Sequence, residues 1–382
     1  MHRRQFLQNT LVGALALPSL ASSRLALAAD APATPQDAPV TKLRGVNLGA
    51  WLVLEKWMTP SVFRDSQAPD EYTLCRDLGA KAAARLNRHR ETFITADDFA
   101  WIKARGLNAV RLPVGHWVLD APAPYVSAAR FVDFAFEQAQ KNGLKILLDL
   151  HGAPGSQNGW DHSGKSGPLE WHTSPRNIAK TVDVVESLAR RYGKHPALWG
   201  IELLNEPRWD VPIETLKTYY QNAYKRIRPH LPASVAVVIH DGFRPFEWKN
   251  FMQEPDYSNV LLDTHIYQAY TDADRKRTAQ EHVAAALDRK KQLDAMSGQL
   301  WTMVGEWSLG TPGEVWRGLS PFEIETGKRA YGAAQLLSYD SGHGWFYWSY
   351  KQEDDSDWNF RASVERGSLP SNFADAKAAT KK

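Results

Sequence analysis

Two apolar runs of this 382-residue chain each finish in a glutamate: LWGIELLNEP at 198–207 carries Glu206, and LWTMVGEWS at 300–308 carries Glu306. A buried strand cannot leave an ionised carboxylate unpaired, because desolvating the charge costs more than the strand's packing returns. Two such carboxyls facing each other are what cleavage of a glycosidic bond requires. One gives a proton to the leaving oxygen, and the other, ionised, attacks the anomeric carbon. Neighbouring residues suggest the division of labour. Pro207 biases Glu206 toward an extended backbone that fixes its aim, while Arg111 and the Tyr267 hydroxyl are candidates to hold Glu306 ionised. Glu206 is then expected to be the carboxyl with the raised pKa.

The elements that position these residues alternate. Eight β-like runs, at 43–49, 109–115, 145–152, 198–207, 234–242, 260–267, 300–308 and 344–350, are separated by amphipathic segments such as SAARFVDFAFEQAQKNG, several of which end at a glycine. Buried strands alternating with helices imply a parallel sheet covered by helices, and eight is the number that closes a (β/α)8 TIM barrel. The expected fold is therefore α/β, a single such barrel with its cleft at the C-terminal rim of the strands. The strand endings supply Asn47, Arg111, His151, Asn205 with Glu206, His240 with Asp241, His265 with Tyr267, Glu306 and Trp348. Core packing alone would not write a polar or amphipathic residue at the end of every strand.

Composition sets the bounds. At 43% hydrophobic, with 15 Trp, 13 Tyr and 14 Phe, the chain can bury a large core. Residues 1–28 read as a twin-arginine signal peptide: Arg3 and Arg4 precede the apolar LVGALALPSL, too short to span a bilayer, and LALAAD offers a cleavage site. Removing them takes away Arg3, Arg4 and Arg24 and no acid, so the net charge of +3 (46 basic, 43 acidic) becomes zero. That balance predicts no nucleic-acid partner and, after cleavage, no membrane partner. Export to the periplasm or beyond is expected. The lone Cys75 allows no intrachain disulfide, which fits export of an already folded protein, and EYTLC places it among apolar residues rather than in a nucleophile's setting. No metal-ligand spacing and no glycine-rich phosphate motif is present, so no metal and no cofactor is expected. The domain division is a signal at 1–28, a Pro/Ala-rich linker at 29–42, a catalytic barrel at 43–370 and a polar tail at 371–382, and the protein is expected to be a monomer.

Nine motifs in order, RGVNLGAWLVLEKWMTPSVF, DEYTLC, FITADDFAWIKARGLNAVRLPVGHW, DLHGAPGSQNGWDHSG, LLNEP, HDGF, HIYQAY, GEWS and WSYKQEDDSDWNF, resemble the retaining glycoside hydrolases of family 5, and within them the exo-β-1,3-glucanase branch. The resemblance implies a β-glucan substrate, with Glu206 as acid/base and Glu306 as nucleophile. It implies that Arg111, His151, Asn205, His265 and Tyr267 orient the carboxyls and the sugar. Trp348 is similar to the platform beneath the glucose at subsite −1, and Glu55 to the carboxylate that binds its hydroxyls. Trp160 and Tyr270 fall where that branch carries two phenylalanines clamping the +1 sugar. Ala50, Arg90 and the two clamp residues depart from the pattern and leave the linkage preference open. An endo-acting β-1,6-glucanase and a β-glucosidase acting on glycolipids would use the same apparatus. A non-catalytic carbohydrate-binding barrel would not need both carboxylates and their whole shell.

Overall fold

Period-two alternation inside the apolar runs decides where each side chain goes. The computed structural model describes residues 42–374. The expected signal peptide, the linker up to residue 41 and the tail from residue 375 lie outside the described residues. Eight parallel strands, β1 (Leu43–Asn47), β2 (Ala109–Gly115), β3 (Lys145–Gly152), β4 (Leu198–Glu202), β5 (Ala236–His240), β6 (Val260–His265), β7 (Trp301–Trp307) and β8 (Gly344–Tyr347), pair in sequence order, and β8 returns to β1 to close the barrel. The expected (β/α)8 barrel is the observed fold.

One apolar side chain or more from every strand, among them Leu43, Ala109, Leu147, Trp199, Val238, Leu261, Met303 and Phe346, packs into a single inner cluster. Alternate residues such as Val110, Leu112, Ile146, Leu148, Val237 and Ile239 belong to a second cluster with the helices outside. Two residues beyond Ala109, Leu147 and Leu261, the same alternation turns Arg111, Asp149 and Asp263 inward, and all three are fully buried. The barrel interior is thus apolar below and ionisable above. That gradient is what points the chemistry at the C-terminal rim.

The helices are α1 (Glu71–Leu78), α2 (Ala82–Phe93), α3 (Ala96–Ala104), α4 (Ala129–Asn142), α5 (Pro175–Tyr192), α6 (Ile213–Ile227), α7 (Asp272–Lys276), α8 (Ala279–Ser297), α9 (Pro321–Tyr339) and α10 (Phe360–Glu365). Local chemistry sets their ends. Thr95 with Asp98, Thr278 with Glu281 and Ser320 with Glu323 form capping boxes that satisfy otherwise orphaned N–H groups of α3, α8 and α9. Along α4, Phe131, Val132, Ala135, Phe136 and Ala139 are buried on one stripe, and Gly143 ends the helix at φ +62°. Cys75 is 1% exposed among Leu54, Phe63, Leu74 and Leu86, and burial pushes its thiol up to about 12, so it is a core residue and no nucleophile.

Three expectations need correction. Strand four was expected to run to Pro207, yet β4 ends at Glu202. Leu203 still donates to the Val238 carbonyl and Asn205 to that of Leu150, each at 2.9 Å, until Glu206 turns the chain at φ +42°. The extended backbone expected of Glu206 from Pro207 is therefore wrong. Hydrogen bonds to this segment from the loop after β3 outweigh the proline's local preference. The packed chain also extends past residue 370: Phe373 is 7% exposed, contacts the rings of Trp345 and Phe360, and donates its N–H to Arg105 at 2.7 Å.

Gly305 shows how tightly the upper interior is built. Its N–H donates to Asp263 at 2.5 Å, and a Cβ at this position would lie 1.8 Å from the other Asp263 oxygen. Gly305→Ala is expected to cost about 1–3 kcal/mol of stability through forced repacking. A urea midpoint equal to that of the unchanged protein would show that the contact is not rigid.

Candidate active site

Arg111 is the hub. Its guanidinium is fully buried and uses every N–H direction: Nε donates to Glu202 at 2.8 Å, Nη1 to Asn47 at 2.9 Å and to Glu306 at 3.0 Å, and Nη2 to Asn205 at 2.7 Å with Asp149 at 3.1 Å. Burial opposes the charge, but Asp149, Glu202 and Glu306 outweigh it and raise the pKa well above its usual range. Burial pushes the partners the other way, Asp149 up to about 7 and Glu202 up to about 8, against the pull of Arg111. Asp149 also accepts from His151 Nδ1 at 2.6 Å, and the His151 ring lies flat against Trp348, with centroids 5.5 Å apart and planes 6° apart.

Glu206 and Glu306 meet at one imidazole. His265 Nδ1 lies 2.6 Å from Glu206 Oε1 and 3.4 Å from Glu306 Oε2, so 2.6 Å plus 3.4 Å bounds the separation of those two oxygens at 6.0 Å. Tyr267 donates to Glu306 at 2.8 Å. Burial disfavours a charged His265, yet Glu306 and Asp263 hold its pKa well above the usual value. Burial also disfavours an ionised Glu206, but the hydrogen bond and charge of His265 hold it down at about 2. Burial together with the charge of Glu206 pushes Glu306 up to about 8, despite His265 and Arg111. Those opposite shifts bias the free pair toward an ionised Glu206 and a protonated Glu306, whereas the sequence led to the expectation of a raised Glu206. The imidazolium lies 2.6 Å from Glu206 and 3.4 Å from Glu306, which favours the ionised form of Glu206.

The loop after β3 holds this geometry. Gln157 donates to the carbonyls of His151 and Asn205, and Asn158 donates to that of Glu206 at 3.2 Å, which fixes the left-handed turn. Glu55 is 4% exposed and accepts from Trp57 at 2.9 Å. Burial, with the charge of Asp161, raises its pKa well above the usual range, so this carboxyl is biased toward the neutral acid rather than the charged group expected. Trp348 packs with Ala50 and Met58, and a Cβ on Gly49 would lie 2.9 Å from its ring.

All eleven residues singled out in the sequence are placed in the described region. Nine of them, Glu55, Arg111, His151, Asn205, Glu206, His265, Tyr267, Glu306 and Trp348, are buried or nearly so around the mouth. The other two, Trp160 and Tyr270, fall into separate aromatic groups. Trp160 lies 6.1 Å from both Trp209 and Phe243, whereas Tyr270, 67% exposed, packs near Tyr267 and Trp358. The reading of the sequence passed over Asp149, Glu202 and Asp263, although an acid inside an apolar run was a visible signal. It also passed over His162, whose Nε2 is 3.4 Å from Glu206 Oε2. Two buried sets, Glu206 with His240 and His265, and Glu202 with Asp263 and His265, bring ligand atoms within 4.8 Å of one another and could hold a cation.

A family model described as cellulase (glycosyl hydrolase family 5) matches residues 80–354. A glucan 1,3-beta-glucosidase of Blumeria graminis is 38% identical, with 86% of this chain and 87% of the relative covered. A probable glucan 1,3-beta-glucosidase A of Emericella nidulans is 37% identical, with 87% and 91% covered. Among solved structures, a rutinosidase from Aspergillus niger superposes with a TM-score of 0.76 at 20% identity, over 88% of this chain and 99% of the other, a likeness of fold.

The buried carboxyls make stability depend on pH. Asp149, Glu202 and Glu306 are raised from 3.8, 4.5 and 4.5 to about 7, 8 and 8, so the folded state binds more protons than the unfolded one above pH ~4, and their contribution is lost as pH rises to ~8. Glu206, lowered from 4.5 to about 2, acts in the opposite sense and loses its contribution as pH falls below ~4.5. Buried His89 and His116, each lowered to about 4, act with Glu206 and add stability as pH rises to ~6.5, so the fall in urea midpoint is expected between pH ~6.5 and ~8. A midpoint that rises across that interval would contradict this balance of charges.

Proposed function

The chain belongs to glycosyl hydrolase family 5, and from that premise we propose that it hydrolyses β-glucan by double displacement, releasing glucose from the non-reducing end of β-1,3-linked chains. Glu306 is the nucleophile and Glu206 the acid/base. The observation that carries the reading is the 6.0 Å bound on the facing oxygens of the pair. Retaining enzymes hold their carboxyls roughly 5–5.5 Å apart, whereas inverting ones leave about 6.5–9.5 Å for a water. The β-1,3 linkage is brought by the names of the relatives.

The two carboxyls are too close to ionise together, and they share one proton. Double displacement needs that proton on Glu206. A glycosidic oxygen seated against Glu206 is a hydrogen-bond acceptor and favours its acid form. Arg111 and Tyr267 already donate to Glu306 and favour its carboxylate once the proton has moved. Glu306 then attacks the anomeric carbon as Glu206 protonates the leaving oxygen. In the second step Glu206 takes a proton from water as that water displaces Glu306.

Binding follows from the walls. Trp348, backed by His151, offers an aromatic face to the apolar face of a glucose ring, and Asn205 and His151 bind its hydroxyls. Glu55, close enough to Glu206 and Glu306 for their charges to raise its own pKa, closes the far side of subsite −1, so that only a chain end enters. Trp160 and Tyr270 flank the leaving sugar from their two aromatic groups. Trp209, 57% exposed three residues beyond Glu206, extends the stacking surface with Phe243.

Glu306→Gln is expected to lower turnover by about a thousandfold or more while laminari-oligosaccharide binding stays measurable by calorimetry. Retention of more than a few per cent of the rate would remove Glu306 from its role. Laminarin digestion is expected to yield glucose alone, whereas a ladder of oligosaccharides would establish endo action and an open cleft beside Glu55.

Export by the twin-arginine route to the periplasm or beyond, as a monomer cleaved near residue 28, is part of the proposal. It rests on Arg3, Arg4 and the apolar stretch that follows. Replacing both arginines by lysine is expected to leave the full-length chain in the cytoplasm. Export undiminished in that variant would reject the route.

A further inference from the structure

His162 is not among the residues that the functional reading uses, and its position is unusually well defined. It sits in a single turn of 3-10 helix, Asp161–Ser163, after β3. Ser163 ties that turn down, with its Oγ 2.6 Å from Ser156 Oγ and donating to the Trp160 carbonyl at 2.7 Å. The turn also rests directly on the barrel: a Cβ on Gly152 would lie 2.5 Å from the Ser163 carbonyl oxygen. The imidazole is therefore presented by a braced element.

The two ring nitrogens have different surroundings. Nε2 lies 3.4 Å from Glu206 Oε2, whereas Nδ1 is buried and has no hydrogen-bond partner among the described residues. A proton on Nδ1 would be a buried donor without an acceptor, and the tautomer with its proton on Nε2 avoids that cost. His162 thus carries its N–H on the nitrogen nearer Glu206. The groups that face it are Glu206 from the loop after β4, His151 from β3 with its ring 5.2 Å away, and Trp160, just before the turn, with its ring 5.4 Å away. The two oxygens of Glu206 consequently have separate partners. Oε1 accepts from His265 at 2.6 Å, which leaves Oε2 to carry the transferable proton.

We propose that His162 is a positioning residue for the acid/base, whose Nε2–H stabilises the carboxylate that Glu206 becomes as its Oε2 proton passes to the leaving oxygen. In that step the bond from the anomeric carbon to the glycosidic oxygen breaks with its electron pair going to oxygen. The proton of Glu206 neutralises that oxygen, and Glu306 bonds to the carbon. Negative charge moves from Glu306 to Glu206, and the waiting N–H meets it with only a small closing of the gap. The 3.4 Å separation shortens to a hydrogen bond as the charge develops.

The inference rests on Glu206 being the acid/base, and the experiment separates the two. kcat/KM, which reports the first displacement, is measured for laminaribiose, whose leaving group needs a proton, and for 2,4-dinitrophenyl β-glucoside, whose leaving group does not. His162→Ala is expected to lose about tenfold or more on laminaribiose and less than about twofold on the dinitrophenyl substrate. His162→Gln, which can place an amide N–H at the same point, is expected to recover most of the loss and provides a second variant of similar volume. Equal losses on both substrates, or no loss on either, would overturn the proposal and leave His162 a packing residue. Glu206→Gln runs in parallel. If it too lacks a difference between the substrates, the acid/base reading of Glu206 falls, and the role of His162 with it.

Discussion

A fully buried guanidinium is the constraint on which the rest of the upper barrel depends. Arg111 cannot enter the interior unless acceptors surround it, because the desolvation penalty of an unpaired cation is several kcal/mol after relaxation. Glu202, Asp149, Asn47, Asn205 and Glu306 supply those acceptors from β4, β3, β1, the loop after β4 and β7. One side chain thereby ties together the ends of four other strands. The charge that holds these groups together also makes their arrangement unforgiving, since removing any partner leaves an N–H of the buried guanidinium without its acceptor.

Below this layer the barrel is apolar, and the division is functional. The lower cluster of Leu43, Leu147, Leu261, Met303 and Phe346 excludes water from beneath the charges, so their mutual interactions are screened little. The same low polarity pushes Asp149, Glu202 and Glu306 up and leaves the proton inventory of the site to local geometry. His265 shows the result. Its greater closeness to Glu206 than to Glu306 favours an ionised Glu206 and a protonated Glu306. A bound sugar then has only to move one proton between carboxyls that already touch a common imidazole.

Rigidity comes from backbone hydrogen bonds rather than from the strands alone. Glu206 lies beyond the end of β4 in a left-handed conformation that a non-glycine residue adopts only when its surroundings impose it. Gln157 and Asn158 impose it by donating to three carbonyls of the neighbouring segments. Two amides in one loop thus aim a carboxyl that belongs to another.

Much of this was legible in the sequence. Eight apolar runs separated by amphipathic segments determined the barrel, because burial on both faces of a strand leaves no other economical pattern, and each strand starts and stops within five residues of its run. The polar endings determined that Arg111, Glu206, Glu306 and their neighbours share one rim. Asp149, Glu202 and Asp263 were readable in principle, as acids at inward positions of those runs. The reach of β4 and the backbone of Glu206 were not readable, since proline's preference acts on one residue while loops from elsewhere act through hydrogen bonds that sequence distance conceals. The proton's place between Glu206 and Glu306 was decided only by tertiary structure. It turns on whether an imidazole nitrogen lies 2.6 or 3.4 Å from a carboxyl oxygen, and differences of that size arise when the barrel closes and the loops above it pack.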